Sequence, residues 1–182
     1  MGDFRHLSDS LVHRGYVWDV VVAEFEGPDG TTFTRDVVRS PGAVAVVPVH
    51  RRGAELCVTL VHQYRAPLDR RVLEIPAGMR DVAGEPPMET AARELAEEVG
   101  LTASTWVELT RFSPSVGMTD AELHVFLATD LVPVGRSAHG PEESHMDIIE
   151  MTLDEAIGLI SSGSIHDAKS IIGLLLADRH LR

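Results

Sequence analysis

The sequence predicts an α/β fold, because segments typical of buried strands and segments typical of helices follow one another along the chain. Residues 44–49 and 55–62 are short apolar runs joined by a turn around Gly53, as in neighbouring strands of a buried sheet. The best-marked helix begins at Pro86 and Pro87, since proline is tolerated in a first helical turn. It runs to Val99, and Gly100 is well suited to end it.

The N-terminal segment is predicted to form a β-hairpin attached to a main domain. Residues 1–15 are polar and are expected to be a loosely held arm. Residues 16–25 and 31–38 are expected to be strands, because Gly27-Pro-Asp-Gly30 between them is a strong turn signal. The hairpin has few apolar partners nearby, so it is expected to pack on the main domain or on another chain. This divides the protein into residues 1–40 and 41–182.

The second half of the chain is predicted to continue the α/β pattern. The expected elements are strands at 106–112, 123–128 and 148–151, and helices at 153–161 and 167–179. Thr152 is the candidate N-cap of the first of these helices, because its hydroxyl can accept a hydrogen bond from an unpaired N–H. Residues 113–120 and the polar, acidic segment 135–145 are expected to be loops.

Composition excludes several classes of protein. With 182 residues, 44% hydrophobic and 24% charged, the chain is typical of one globular domain with a small appendage. The net charge of −12 argues against tight nucleic-acid binding, which needs a basic surface. No apolar run reaches the length of a membrane span. Cys57 is the only cysteine, so it is expected to be a buried core thiol in a cytoplasmic protein without internal disulfides.

Three glutamates along the predicted helix indicate a cation site. Glu94 and Glu98 lie four residues apart and therefore on one helix face, with Glu97 on its flank. Like charges at this spacing repel each other and destabilise a helix by a few tenths of a kcal/mol. A cation bound against them would remove this repulsion. Oxygen ligands of this kind suit Mg²⁺. On helix chemistry alone, a solvated acidic face remains the alternative.

Residues 78–101 resemble the Nudix box, the metal-binding loop–helix–loop of the Nudix hydrolases, written G-x5-E-x7-REUxEExGU with U aliphatic. From Glu85 through Arg93 to Leu101 every specified position of that pattern is matched in register. One departure precedes them, because six residues separate Gly78 from Glu85 where the pattern has five. The ligand-bearing helix keeps its spacing, so the departure concerns the shape of the loop.

Segments outside the box resemble the ADP-ribose pyrophosphatase branch of the family, actinobacterial members included. They are residues 41–49, 63–67, 73–78 and 167–177. The resemblance implies a Nudix-type α/β/α sandwich with a mixed sheet. It also implies a homodimer in which the N-terminal β-hairpin is exchanged, and Mg²⁺-dependent cleavage, with Mn²⁺ as an alternative cofactor. The implied substrate is a small nucleoside diphosphate derivative.

The same resemblance implies the roles of the box residues. Glu94, Glu97, Glu98 and the backbone carbonyl of Ala77 are the expected metal ligands. The expected supports of the site are Gly78, Glu85 and Arg93, the last two as an ion pair that orients the loop against the helix. Removing one partner would leave the other charge unpaired at a cost of about 3–5 kcal/mol if it is buried.

The expected substrate-binding residues are spread along the chain. Arg65 matches the family arginine that holds the diphosphate, although a surface ion pair is the alternative. Arg35 matches an arginine delivered across the dimer, and Trp18 or Tyr16 would stack on the adenine unless they only pack the hairpin. Glu74 either binds substrate or braces the loop; the sequence does not distinguish these roles.

The catalytic base is expected on the late loop. In the ADP-ribose branch a glutamate there activates the attacking water, and Glu143 and then Glu142 are the candidates here. A base elsewhere in the chain is the remaining alternative.

The predicted reaction is hydrolysis of ADP-ribose to AMP and ribose 5-phosphate. The alternatives are a Nudix hydrolase of another nucleoside-diphosphate sugar and a nucleotide-sensing Nudix module without activity. Val116 and Ala121 stand where the family usually has proline and glutamate, in a loop that influences ADP-ribose preference. That departure concerns the substrate rather than the chemistry.

Overall fold

The computed structural model describes residues 2–137 and 140–182, in two compact units. The first unit comprises residues 2–42 and Ser113–Glu122, and the second comprises Ala43–Phe112 and Leu123–Arg182. Of the loop predicted at 135–145, Ala138 and His139 lie outside the described residues. The remainder of that segment is not entirely a loop, since a short helix α2 occupies Gly140–Ser144.

The first unit is built on a three-stranded antiparallel sheet. Its strands are β1 (Arg5–Arg14), β2 (Asp19–Glu26) and β3 (Thr32–Arg39), in the order β1-β2-β3. The β2–β3 hairpin and its turn at Gly27–Gly30 confirm the prediction, with Gly27 N–H donating to Thr31 O at 2.8 Å.

The expectation of a loosely held N-terminal arm was wrong, because β1 pairs with β2 over almost its whole length. Most side chains of β1 are exposed, so the strand shows no apolar alternation in the sequence. Backbone hydrogen bonds and ion pairs hold it instead. Arg39 on β3 donates from Nε and Nη2 to the two carboxylate oxygens of Asp9 on β1, both at 2.9 Å.

The second unit contains a mixed sheet with the strand order β10-β5-β4-β9-β8. Its strands in chain order are β4 (Ala43–Arg52), β5 (Glu55–Arg65), β6 (Arg70–Glu74), β7 (Ala77–Met79), β8 (Leu101–Phe112), β9 (Leu123–Pro133) and β10 (Asp147–Thr152). The β4–β9 pair is parallel and the other pairs are antiparallel, with β6 beside β5 and β7 beside β4. The sequence predicted the longer strands but missed β6 and β7, which are only five and three residues long.

Helices cover both faces of this sheet, because successive side chains of a strand point to opposite faces. The helices are α1 (Pro87–Val99), α3 (Leu153–Ser161) and α4 (Ala168–Leu181). Val44 and Val46 of β4 pack with α1, whereas Ala45, Val47 and Val49 pack with α3 and α4. The predicted α/β/α sandwich with a mixed sheet is therefore confirmed.

The predicted boundaries of α1 and α3 are also confirmed, whereas α4 begins one residue later and ends two residues later than predicted. Gly100 ends α1 with φ of 67°, a left-handed conformation that glycine adopts readily. Thr152 caps α3 in a capping box with Glu155, and Asp167 caps α4 by accepting from Ser170 N–H. Among the described residues, no helix is long and apolar enough to cross a membrane.

Candidate active site

The acidic face of α1 lies against β7, where two of its carboxylates contact the backbone. Glu98 Oε2 accepts a hydrogen bond from Ala77 N–H at 2.9 Å. The Glu94 carboxylate lies so close to Gly78 that a Cβ added there would be 1.9 Å from Glu94 Cδ. Position 78 therefore has to be glycine if Glu94 is to keep this placement.

Arg93 joins the helix to the loop that precedes it. Its guanidinium lies 3.2 Å from Glu85 Oε2, which is the ion pair that the resemblance implied. Nη1 also donates to Glu94 at 2.9 Å and to Glu97 at 3.1 Å, and Nη2 donates to Asp81 at 3.2 Å. One arginine thus holds four carboxylates in a fixed arrangement.

The loop with the extra residue closes by a turn in which Glu85 N–H donates to Val82 O at 3.2 Å. Gly84 within this turn has φ of 80°. Because glycine accepts a positive φ without steric cost, the longer loop still delivers Glu85 to Arg93. The extra residue therefore changes the loop before α1 and leaves the spacing of the residues within α1 unchanged.

The two carboxylates against β7 are difficult to ionise in this environment. Glu94 and Glu98 are 8% and 2% exposed. Burial raises the pKa of Glu94 to about 7, which the charge of Arg93 partly opposes and the charge of Glu97 reinforces. Burial likewise raises the pKa of Glu98 to about 8, against the hydrogen bond from Ala77 and with repulsion from Glu94.

This group of side chains fits a hard divalent cation. Its donors are all oxygens, which Mg²⁺ and Mn²⁺ prefer, and a cation would remove the repulsion between Glu94 and Glu98. Arg93 donates to Glu94 and Glu97, while Glu98 takes its hydrogen bond from a backbone N–H. A metal ion that binds this pair at neutral pH would displace the protons that the raised pKa values retain.

A second charged cluster lies beside the first. Arg65 donates from Nε and Nη2 to the two oxygens of Glu74, at 2.8 and 2.7 Å. Lys169 forms an ion pair with Glu74 and lies 2.8 Å from Asp167. The positive charge of Arg65 lowers the pKa of Glu98, so the guanidinium is electrostatically coupled to the acidic face of α1.

Arg65, Glu74 and Lys169 line a cavity of about 510 Å³ that reaches Pro67 and His166. This size is within the range of small-molecule sites. Glu74 itself is 2% exposed and is fully engaged by the two cations. These contacts suit a residue that holds Arg65 in place better than one that contacts substrate.

The two candidate bases of the late loop differ in their surroundings. Glu143 is half-buried, and its negative charge raises the pKa of both Glu94 and Glu98. Glu142 is exposed, and its charge acts on Tyr64 instead. Of the two, Glu143 is the one that is coupled to the acidic face of α1.

The remaining predicted site residues belong to the first unit. Arg35 lies over the Phe33 ring, with 4.8 Å from Cζ to the ring centroid, and donates to Thr34 O at 2.7 Å. Trp18 and Tyr16 are 51% and 104% exposed. Their predicted contacts with substrate stay predictions.

The sequence did not single out three residues of these clusters. Asp81 pairs with Arg93, and Lys169 and Asp167 pair around Glu74. One signal was available for Lys169, since it is the single lysine in the chain and lies in a segment that resembles the family. Asp81 lies in the loop that is one residue longer than the family pattern, and the resemblance gave it no role.

The chain is similar in sequence to two known pyrophosphatases. The chain is 40% identical over 173 residues to the ADP-ribose pyrophosphatase of Mycobacterium tuberculosis (strain ATCC 25618 / H37Rv), covering 95% of this chain and 82% of that protein. It is 39% identical over 166 residues to the ADP-ribose pyrophosphatase of Bacillus subtilis (strain 168), covering 91% and 88%.

The solved structure of an ADP compounds hydrolase aligns with a TM-score of 0.82, covering 100% of this chain and 95% of that chain. Its sequence identity is 22%, so this likeness concerns the fold alone. The NUDIX domain model matches residues 39–172. Because that match spans well over half of the chain, and the relatives match nearly all of it, the chain belongs to the NUDIX hydrolase family.

Proposed function

We propose that this protein hydrolyses the pyrophosphate bond of ADP-ribose, with water, to give AMP and ribose 5-phosphate. The observation that carries the proposal is the buried Glu94–Glu98 pair, electrostatically coupled to the arginine of a neighbouring cavity. The two relatives named as ADP-ribose pyrophosphatases support the choice of substrate. A metal site beside a phosphate-binding arginine is the arrangement that phosphoanhydride hydrolysis needs.

In this proposal Glu94, Glu97, Glu98 and the carbonyl of Ala77 hold Mg²⁺. Bound there, the cation would neutralise charge that develops on the phosphate oxygens. Gly78 keeps room for the Glu94 carboxylate, and Arg93 with Glu85 fixes the loop against the helix. These residues orient the site and take no part in proton transfer.

Arg65 is proposed to bind the diphosphate. A guanidinium has five N–H donors, and two of its nitrogens are used for Glu74. The donors that remain can reach phosphate oxygens while Glu74 and Lys169 keep the group oriented. The adjoining cavity would then receive the part of the substrate beyond the diphosphate.

Glu143 is proposed as the general base, because its negative charge raises the pKa of both Glu94 and Glu98, whereas the charge of Glu142 acts on Tyr64. It would take the proton from the attacking water. Glu143→Gln should lower kcat by about 10²–10⁴-fold, the usual contribution of a general base, and Glu142→Gln serves as its matched control. The opposite order of effects would assign the base to Glu142.

The first unit is proposed to mediate homodimerisation, and Arg35 and Trp18 to contribute from it to the partner's substrate. Several large apolar side chains of this unit are exposed: Phe4, Leu11, Val12, Tyr16, Trp18, Val116 and Met118. Exposed apolar groups at this density are typical of an interaction surface. Light scattering should give twice the chain mass of 19.8 kDa. A monomer would remove the proposed roles of Arg35 and Trp18.

The decisive assay is chromatographic product analysis with ADP-ribose and Mg²⁺, beside a panel of nucleotide sugars. Formation of AMP and ribose 5-phosphate by the wild type, and its loss in Glu98→Gln, is the expected result. Cleavage of another member of the panel alone would move the protein to the second candidate function. Val116, 87% exposed, and Ala121 are the observations that favour that second candidate.

Absence of turnover with every compound of the panel would contradict both hydrolase proposals. Binding of nucleotide without products would instead identify a nucleotide-sensing module. Measuring ADP-ribose binding by calorimetry in the same samples separates that outcome from an unfolded or inactive preparation.

A further inference from the structure

Three side chains with different metal-binding atoms meet at one place on the second unit's sheet. Nitrogen of His50, sulfur of Cys57 and a carboxylate oxygen of Glu150 all lie within 4.8 Å of one another. They come from three adjacent strands, β4, β5 and β10. None of the three belongs to the acidic face of α1.

The strand register explains why they converge. His50 lies directly opposite Cys57 in the β4–β5 pair, and paired side chains stand on the same face of a sheet. Thr152 lies opposite Cys57 in the β5–β10 pair, so Glu150, two residues away, points to that same face. A rigid part of the sheet thus preorganises all three side chains.

The donor set differs in kind from that of the Nudix site. Nitrogen, sulfur and carboxylate oxygen suit Zn²⁺ and related transition-metal ions, whereas Mg²⁺ prefers oxygen alone. A thiolate and a carboxylate together balance two positive charges, so the complex would be neutral. Three protein ligands also leave a fourth position for water.

The cluster is accessible from one side. Cys57 is fully buried, but the side chains of His50 and Glu150 are 32% and 46% exposed. Arg52 lies 3.3 Å from Glu150 and 3.5 Å from Glu55. Its exposed guanidinium can therefore keep Glu55 as a partner when a metal ion takes the Glu150 oxygen.

We propose that His50, Cys57 and Glu150 bind one Zn²⁺-class divalent cation, with the Cys57 thiol releasing its proton to solvent as the metal–sulfur bond forms. The site is separate from the Nudix box. His50 is five residues along β4 from Ala45, which pairs with Ala77, and this corresponds to about 17 Å at the rise of a strand. The bound ion would fasten β10 to β5 and β4.

The test is a Co²⁺ titration followed by absorbance, since Co²⁺ is a spectroscopic substitute for Zn²⁺. A thiolate-to-Co²⁺ charge-transfer band can come only from Cys57, the single cysteine in the chain. The wild type and Glu98→Gln should both develop the band, saturating at one Co²⁺ per chain, and Zn²⁺ should abolish it. Cys57→Ser should lack it, and His50→Ala should need at least about tenfold more Co²⁺.

Thermal unfolding gives a second readout that does not depend on the absorbance band. A cation that binds only the folded state raises the melting temperature, so Zn²⁺ should stabilise the wild type and Glu98→Gln but not Cys57→Ser. Circular dichroism verifies that each variant is folded. A wild type without the band, or a band unchanged in His50→Ala, would overturn the proposal.

Discussion

Glu74 and Glu98 are equally buried, yet their electrostatic environments are opposite. Each is 2% exposed. Burial alone would raise the pKa of Glu74, but the hydrogen bond from Arg65 and the charge of Lys169 hold it below its ordinary value. Burial raises the pKa of Glu98 to about 8, with only partial opposition from Ala77 N–H and from Arg65.

The difference in electrostatic environment suits the two clusters to different roles. Around Glu74 the protein supplies its own cations, so that cluster is complete and can position Arg65. Around Glu98 and Glu94 the carboxylates, when ionised, carry more negative charge than Arg93 compensates, so a cation from solution would complete the cluster. The variants described below test this difference in charge compensation between the two clusters.

The largest expected effect comes from Glu98→Gln. The amide keeps the size of the side chain and can still accept from Ala77 N–H, but it does not supply a charged metal ligand. We expect kcat/KM for ADP-ribose to fall by about 10³-fold, as when a main electrostatic group of an active site is removed. Steady-state kinetics measure it, with the exposed Glu89→Gln of the same helix as the matched control.

Glu74→Gln should be the most destabilising of these changes. It leaves Arg65 and Lys169 without their shared carboxylate, and breaking a buried pair costs about 3–5 kcal/mol. Urea denaturation measures the free energy of unfolding. Glu55→Gln, in the exposed pair with Arg52, should cost less than about 1 kcal/mol. Equal losses in the two variants would contradict the account of the Glu74 cluster.

The stability of the metal-free protein should depend on pH in opposite directions for the two glutamates. Unfolded Glu98 loses its proton above about 4.5 while the folded protein keeps it up to about 8. Stability is therefore lost as pH rises from about 5 to 8, by a few kcal/mol, since one pKa unit corresponds to about 1.4 kcal/mol.

The test compares the free energy of unfolding of wild type and Glu98→Gln. Both proteins are treated with chelator and unfolded in urea across this pH range. The wild type should lose more stability toward alkaline pH than the variant, and Mg²⁺ should restore it. Glu74, whose pKa is lowered, contributes stability that is lost on acidification instead. Parallel pH curves for wild type and Glu98→Gln would contradict the raised pKa.

Gly78→Ala should have the smallest effect on stability and a selective effect on activity. The new Cβ would overlap the Glu94 carboxylate. The carboxylate can rotate away from it, but it then leaves its position beside β7. We expect a loss of about tenfold or more in activity, mainly through weaker Mg²⁺ binding. Gly158→Ala on α3, where an added Cβ meets no atom of the described residues within 4 Å, is the matched control.

The parts of this site that the sequence predicted are those fixed by local register. Glu94, Glu97 and Glu98 share a helix whose period sets their directions, and Pro87 and Gly100 mark its ends. Thr152 was recognised as a cap from its hydroxyl and its place before an apolar run, and its capping-box partner Glu155 is only three residues away. Local geometry of this kind can be read from neighbouring residues.

The parts that the sequence did not predict depend on distant pairing. Strand β1 has exposed side chains, so its pairing with β2 left no alternation to detect. Lys169 reaches Glu74 across 95 residues of chain, and Asp81 reaches Arg93 across 12. The convergence of His50 and Glu150 on Cys57 follows from the register of three strands, which a single sequence does not specify.

The central claim is that the Glu94–Glu98 pair takes its compensating charge from a divalent cation. Calorimetric titration of the chelator-treated protein with Mg²⁺ at pH 7, repeated in buffers of different ionisation enthalpy, tests it most directly. With pKa values of about 7 and 8, the pair should release on the order of one proton per Mg²⁺ bound, and Glu98→Gln, in which Glu94 alone can release a proton, should release clearly less. Mg²⁺ binding without proton release, or with the same release in Glu98→Gln, would contradict the account.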